Sequence, residues 1–127
     1  MSATSAWHIQ LFALATNAPV RWRLLSGNNR DMGRSLDEYD DPESCRMALK
    51  QLQVDAPDLI PRVRRLTPSS WQWEILLDDL PIASSGHPFD RLIRCEQGMT
   101  QFIANFATAP VGPTLMVSES RRWRVAG

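Results

Sequence analysis

The sequence predicts an α+β fold: two tandem ββαβ-like units packed as a pseudo-twofold pseudo-dimer, an antiparallel sheet with two helices. Three observations predict it. The chain matches itself at a spacing of 50 to 51 residues. Apolar residues alternate with polar ones around Trp22 and again around Trp73, the period of a strand with one buried face. Two later stretches repeat apolar residues every three or four positions, the period of a helix lying on a core.

The self-match fixes the order of the elements. Trp22 falls on Trp73, Leu24 on Ile75 and Leu25 on Leu76, at an offset of 51. One residue then drops out where a hairpin turn is expected. From there Met32 falls on Ile82, Ser35 on Ser85, Tyr39 on Phe89, Cys45 on Cys95 and Leu52 on Phe102, at an offset of 50. A gap confined to a turn is the mark of a duplicated unit. The domain expected is a single compact one over residues 1–127. Its repeats lie at about 7–57 and 58–120, with a short C-terminal tail at 121–127.

A strand from Trp7 to Leu14 precedes the first unit. Val20, Trp22 and Leu24 then face one way and Arg21 and Arg23 the other. "SGNNRD" turns the chain, because Gly and Asn tolerate positive φ, and "DDLP" does the same in the second unit. Second strands follow in "MGRSL" and "IASS". In "YDDPESCRMALKQL", Asp41 is placed to cap a helix and Pro42 suits its first position. Asp90 is the expected cap of the second helix. Cys45, Ala48, Leu49 and Leu52 share a face, as do Cys95, Met99, Phe102 and Phe106. Strands at Ile60 to Leu66 and Gly112 to Ser120 follow the helices. With the first strand they are expected to complete each other's sheet across the pseudo-twofold. A unit of about 50 residues buries too little apolar surface to stand alone, so the two are expected to share a core.

The order strand, hairpin, Ser-x-x-x-Tyr/Phe, helix, in tandem, resembles the YegP-like family of small bacterial domains of unknown function. The residues that carry the resemblance are "WRLLSGNNRDMGRS" with Ser35 and Tyr39, and "WEILLDDLPIASSGHPF" with Ser85 and Phe89. It spans roughly residues 20–106. The second half departs from the pattern, Asp78 and Asp79 replacing the Asn-rich turn. The resemblance implies two units packed as a pseudo-dimer. It implies no reaction and transfers no catalytic residue.

The charges exclude some functions. Fourteen basic side chains balance fourteen acidic ones, with Lys50 the one lysine, so a dedicated nucleic-acid binder or polybasic membrane anchor is disfavoured. No apolar run nears the roughly 20 residues of a membrane span. The N-terminal "LFALA" lacks a basic flank and reads as strand rather than signal peptide. A cytoplasmic location with free thiols is the expectation. No cofactor or metal is expected: there is no C-x-x-C, and only two histidines occur.

No motif fixes a reaction. Cys45 and Cys95 lie on apolar stripes and read as core thiols; a thiol-dependent enzyme or sensor is the third reading. Ser84, Ser85, His87 and Asp90 sit too close in sequence, in a loop, to form a hydrolase triad. Asp37, Glu38, Asp40, Asp41 and Glu43 lack the spacing and central Gly of a calcium loop, and capping explains most of them. "SGNNRDMGR" enters a strand rather than a helix, so it is a turn and not a phosphate cradle. Asn28 and Asn29 at its tip are candidate partner contacts.

Arginine with tryptophan is the remaining signal. Arg21 and Arg23 lie opposite Trp22, Arg62, Arg64 and Arg65 lie on the strand after the first helix, and the tail carries Arg121, Arg122, Trp123 and Arg124. Such residues anchor protein interfaces and contact phosphate backbones. The same residues also suit a solvated or intramolecularly paired face, so the sequence does not determine the function; the first expectation is a non-enzymatic protein-binding or assembly module, monomeric or homodimeric, with an unidentified protein partner. The alternative is a nucleic-acid-associated protein that binds weakly through Arg62, Arg64 and the tail.

Overall fold

The computed structural model describes residues 6–117. The chain runs β1 (His8–Ala13), β2 (Val20–Leu25), β3 (Asp31–Ser35), α1 (Pro42–Val54), β4 (Ile60–Thr67), β5 (Ser70–Leu77), β6 (Leu80–Ser84), α2 (Leu92–Phe106) and β7 (Val111–Val117). A 3₁₀ turn at Ala56–Asp58 links α1 to β4. The fold is α+β. Seven strands make one sheet in the order β4-β5-β6-β3-β2-β1-β7. All neighbours are antiparallel except β1 and β7, which run parallel. The two halves of the chain meet at the sheet centre, where Arg34 pairs with Ser84 and Ser35 with Ala83.

The alternation read in the sequence sets which face is buried. Trp22, Leu24, Trp73 and Ile75 point toward the helices and are essentially inaccessible to water. Cys45, Leu49 and Leu52 of α1 and Cys95, Phe102 and Phe106 of α2 complete that core. Phe102 joins the halves: its ring lies 6.4 Å from that of Trp22 and 4.9 Å from that of Trp73. Phe106 packs 5.2 Å from both Trp22 and Phe102. Large aromatics buried this way cost roughly 3–5 kcal/mol to truncate. Gly33 lets them close up, since a Cβ there would stand 2.6 Å from Trp73 and 2.7 Å from Phe102. At the far end Gln53 of α1 donates to the carbonyls of Phe106 and Ala109, tying the two helices together.

Both turns behave as their residues dictate. Asp78 and Asp79 have φ of 52° and 68° and join the Leu77–Leu80 pair, the geometry of a tight hairpin whose two central residues are left-handed. In the β2–β3 turn the left-handed residue is Asn29, at 64°, and the Ser26 and Arg30 backbones close a longer loop. The extra residue in the first unit lies in this turn.

Two expectations need correction. The cap of α2 is Arg91, not Asp90; its backbone is extended but its side chain caps nothing. Arg91 is the true counterpart of Asp41, whose carboxylate accepts from the Ser44 N–H at 2.7 Å. Both residues also accept from a cysteine amide four positions on, at 3.2 Å. Next, the strands flanking the helices do not all join one another. β7 pairs with β1, but β4 pairs with its own hairpin partner β5 and forms the opposite edge. The elements follow in the expected chain order, ββαβ from β2 to β4 and again from β5 to β7, while β4 takes its sheet partner from the second run.

The chemistry of β4 explains its edge position. Ile9 of β1 donates its N–H to the Pro110 carbonyl at 2.8 Å, seating β7. Ile9 faces Leu24, and Pro61 faces Ile75, the residue that matches Leu24. Pro61 has no N–H to offer a further strand. The exposed Arg62, Arg64 and Arg65 add like charges along the same edge. Proline and charge are both devices that keep an edge from recruiting another chain.

Candidate functional site

The helices cover one face of the sheet, and among the described residues no helix covers the other. Residues of opposite parity to Trp22 and Trp73 lie there. The strand registers align six of them in one row across six strands: Arg62, Glu74, Ser84, Arg34, Arg23 and Gln10. The row is polar throughout, which antiparallel sheets permit on a face turned to water. Arg21, Phe12 and Arg64 flank it one step along the strands.

The two ends of the row differ electrostatically. At the β4–β5 end Glu74 is nearly buried and accepts from Arg62 at 2.6 Å and Arg64 at 3.1 Å. Burial pushes its carboxyl up, but the two guanidinium hydrogen bonds outweigh that and hold it below the usual carboxylate range. At the β2–β3 end three arginines share one carboxylate. Arg34 pairs with Asp31, Arg23 donates to Gln10 Oε1 at 2.9 and 2.6 Å, and Arg21 donates to the Ser35 carbonyl at 2.8 Å. Arg23 and Arg34 directly oppose one another in register and both lie over the Phe12 ring, at 4.9 and 5.7 Å. The Nε atoms of Arg21 and Arg34 are buried and have no partner. Among the described residues, Arg21, Arg23, Arg34, Arg62 and Arg64 thus stand against Asp31 and Glu74 on this face.

The residues expected to form a site are only partly brought together. Arg62 and Arg64 lie on the helix-free face, whereas Arg65 points to the other side and covers the Trp71 ring at 5.6 Å. Asn28 is held by the Ser26 hydroxyl at 2.6 Å, in the loop that joins β2 to β3. With Arg30, Trp73, Phe89 and Arg94 it borders a groove of about 1170 Å³ between the β2–β3 turn and α2. Asn29 shapes that turn. Arg121, Arg122, Trp123 and Arg124 lie outside the described residues. Arg34 was not foreseen as part of the surface. Its parity with Arg21 and Arg23 follows only from the pairing of β2 with β3, which the sequence does not state.

The other candidates have structural roles. Cys45 and Cys95 are fully buried and free. Burial pushes the Cys45 thiol up to about 11 against a weaker pull from Arg46, and burial followed by Glu96 raises that of Cys95. Both shifts favour the neutral thiol over the reactive thiolate. Ser85 donates to the His87 carbonyl at 2.8 Å, Ser84 accepts from the Gly86 N–H at 3.2 Å, and the His87 ring packs on Phe89 at 4.7 Å. Gly86, with φ of 79°, clears space for Arg34: a Cβ there would lie 2.8 Å from its Nε. Asp41 is committed to its cap, and its carboxyl is lowered by the Ser44 hydrogen bond. Among the described residues no group of His, Cys, Asp and Glu is placed to hold a metal ion, and no helix is long and apolar enough to cross a membrane.

This architecture, a seven-stranded α+β sheet with two helices over one face, is shared with known structures. The solution structure of YegP from E. coli, a protein of unknown function, superposes with a TM-score of 0.66 at 14% identity, covering 90% of this chain and 97% of that one. A UPF0339 protein from Shewanella oneidensis gives 0.65 at 13% identity, covering 92% and 97%. The fold is therefore the YegP-like one that the tandem motif led us to expect. No family model and no curated protein matches the sequence.

Proposed function

We propose that this protein is a non-enzymatic binding and assembly module of the bacterial cytoplasm, made by tandem duplication, and that its contact surface is the helix-free face of the sheet. The observation that carries the reading is the row from Arg62 to Gln10, a continuous polar strip on a rigid sheet with arginine in excess. Arginine presents a planar fork of donors at low entropic cost and is enriched at interface hot spots. Matched local bonds support the duplication. Val20 and Tyr39 exchange backbone bonds at 2.7 and 2.8 Å, as Trp71 and Phe89 do at 2.8 and 2.7 Å. Ser35 donates to the Asp37 carbonyl just as Ser85 donates to that of His87. The partner is a protein, and the module is monomeric or homodimeric.

Capture from extracts of the native host tests this. Wild type and the helix-side variant Arg46→Glu should retain a protein that the double variant Arg23→Glu/Arg34→Glu loses. Equal retention by all three, with native spectra, would remove the face from consideration. The excess of arginine also favours a second reading, a weak nucleic-acid association. It would rest on phosphate contacts and so fall steeply with salt. Retained material that is nucleic acid, and that disappears on raising the conductivity, would identify that reading.

A further inference from the structure

We propose that Arg21, Arg23 and Arg34, on the helix-free face of β2 and β3, form a carboxylate-binding site for an extended acidic segment of a partner protein. This deepens the reading of the face as a contact surface and rests on it. The cluster is an electrostatic anomaly. Arg23 and Arg34 are direct cross-strand partners, and like charges so placed destabilise a sheet. The fold nevertheless seats them with care. Phe12 lies beneath both guanidiniums, and Gly86 gives up a side chain to leave room for Arg34. Arg21 and Arg34 each keep a buried Nε without an acceptor, which costs free energy in the unbound molecule. Among the described residues Asp31 is the one carboxylate that pairs with the cluster.

The same sheet shows what is missing. Arg62 and Arg64 stand two apart on β4 and close on the carboxylate of Glu74. Arg21 and Arg23 stand two apart on β2, and the residue of β1 that faces Arg23 is the neutral Gln10. Glu74 and Arg23 are matched positions of the two halves, so the charge that closes the second half on itself is reversed in the first. A carboxylate from outside, accepting from Arg21, Arg23 and Arg34, would do there what Glu74 does for its own pair. The other titratable groups near the cluster are His8, on the same side of β1, and Glu74, already engaged.

Carboxylate is favoured over a nucleic-acid phosphate by the surroundings. Single strands are held by basic grooves together with aromatic rings on which bases stack. Among the described residues this face exposes no such ring: Phe12 is buried under the arginines, and Trp22, Trp71 and Trp73 lie on the helix side. Zero net charge also removes the long-range attraction that nucleic-acid binders use.

The test is a titration of the full-length ¹⁵N-labelled protein with a capped hexaglutamate peptide, following arginine Nε–Hε signals, with oligothymidylate and inorganic phosphate as parallel probes. Saturable shifts of the Arg21 and Arg34 signals by the peptide are expected. Arg23→Gln should weaken the peptide about tenfold, the loss of a charge-assisted hydrogen bond. Arg23→Lys, which keeps the charge and removes the fork, should fall between, so a folding defect in one variant leaves the site testable. Shifts centred on Arg62 and Arg64 would overturn this site while leaving the face as the contact surface. Oligothymidylate acting on the cluster more strongly than the peptide would overturn the carboxylate assignment. A cluster that responds to no probe would overturn the site outright, and retention by wild type but not by Arg23→Glu/Arg34→Glu in host extracts would still uphold the face.

Discussion

At residue 74 a single carboxylate decides the polarity of half the open face. Glu74 accepts from two arginines and is held below the usual carboxylate range despite its burial. A lowered folded-state pKa contributes stability above the unfolded value and loses it as pH falls through the folded value. Glu74→Gln should therefore destabilise the protein at pH 7 by about 1 kcal/mol, the half-exposed arginines limiting the effect. The difference from wild type in urea midpoint should shrink as the pH is lowered below the carboxylate range. A difference that stays constant with pH would show that the ion pairs contribute nothing and that only shape was lost. The cysteines make a second prediction at this scale. Both are inaccessible with raised thiol pKa values, so a thiol reagent should label native protein slowly and unfolded protein fast. Cys45→Ala should cost about 1 kcal/mol of buried volume. Rapid labelling of native Cys45 would return a thiol-dependent sensor to consideration.

The helices and strands show how far local sequence reaches. Asp41, Pro42 and the Cys45–Leu49–Leu52 stripe specify α1, and all three act as their chemistry requires. The left-handed pair at Asp78–Asp79 was legible as a turn for the same reason. The cap of α2 was misplaced because Asp90 offers better capping chemistry than Arg91. The helix begins at Leu92, which puts Asp90 one residue too early to cap it. This leaves α2 without a side-chain cap, although Arg91 already has the extended backbone a cap needs. Arg91→Asp should supply the missing acceptor and a favourable charge at the helix N-terminus. A gain of about 1 kcal/mol is expected, seen as a rise of roughly 3–5 °C in Tm. No change, or a loss, would mean that Arg91 has a use in the native state beyond its backbone. Strand adjacency was the least legible property. β4 and β7 both follow helices and both read as proline-marked strands. One pairs with its hairpin neighbour and the other crosses to β1, a choice made by non-local backbone bonds. The arginine surface was legible only in part for that reason: Arg21, Arg23, Arg62 and Arg64 could be placed by alternation, whereas Arg34 joined them through the β2–β3 register.

Across the whole molecule the two halves contribute to one hydrophobic core. Phe102 touches the tryptophans of both, Gln53 of α1 holds the end of α2, and β3 pairs with β6 at the sheet centre. With both helices spent on that shared core, the opposite face of the sheet is left free for contact. Neither half keeps a closed core alone. Residues 1–57 and 58–127, produced separately, should be largely unfolded and should regain structure on mixing, since each exposes strand edges that the other covers. The most direct measurement is calorimetry of the intact chain. One transition is predicted, with a calorimetric enthalpy equal to the van't Hoff enthalpy. Two separate transitions would contradict the shared core and make the halves independent domains.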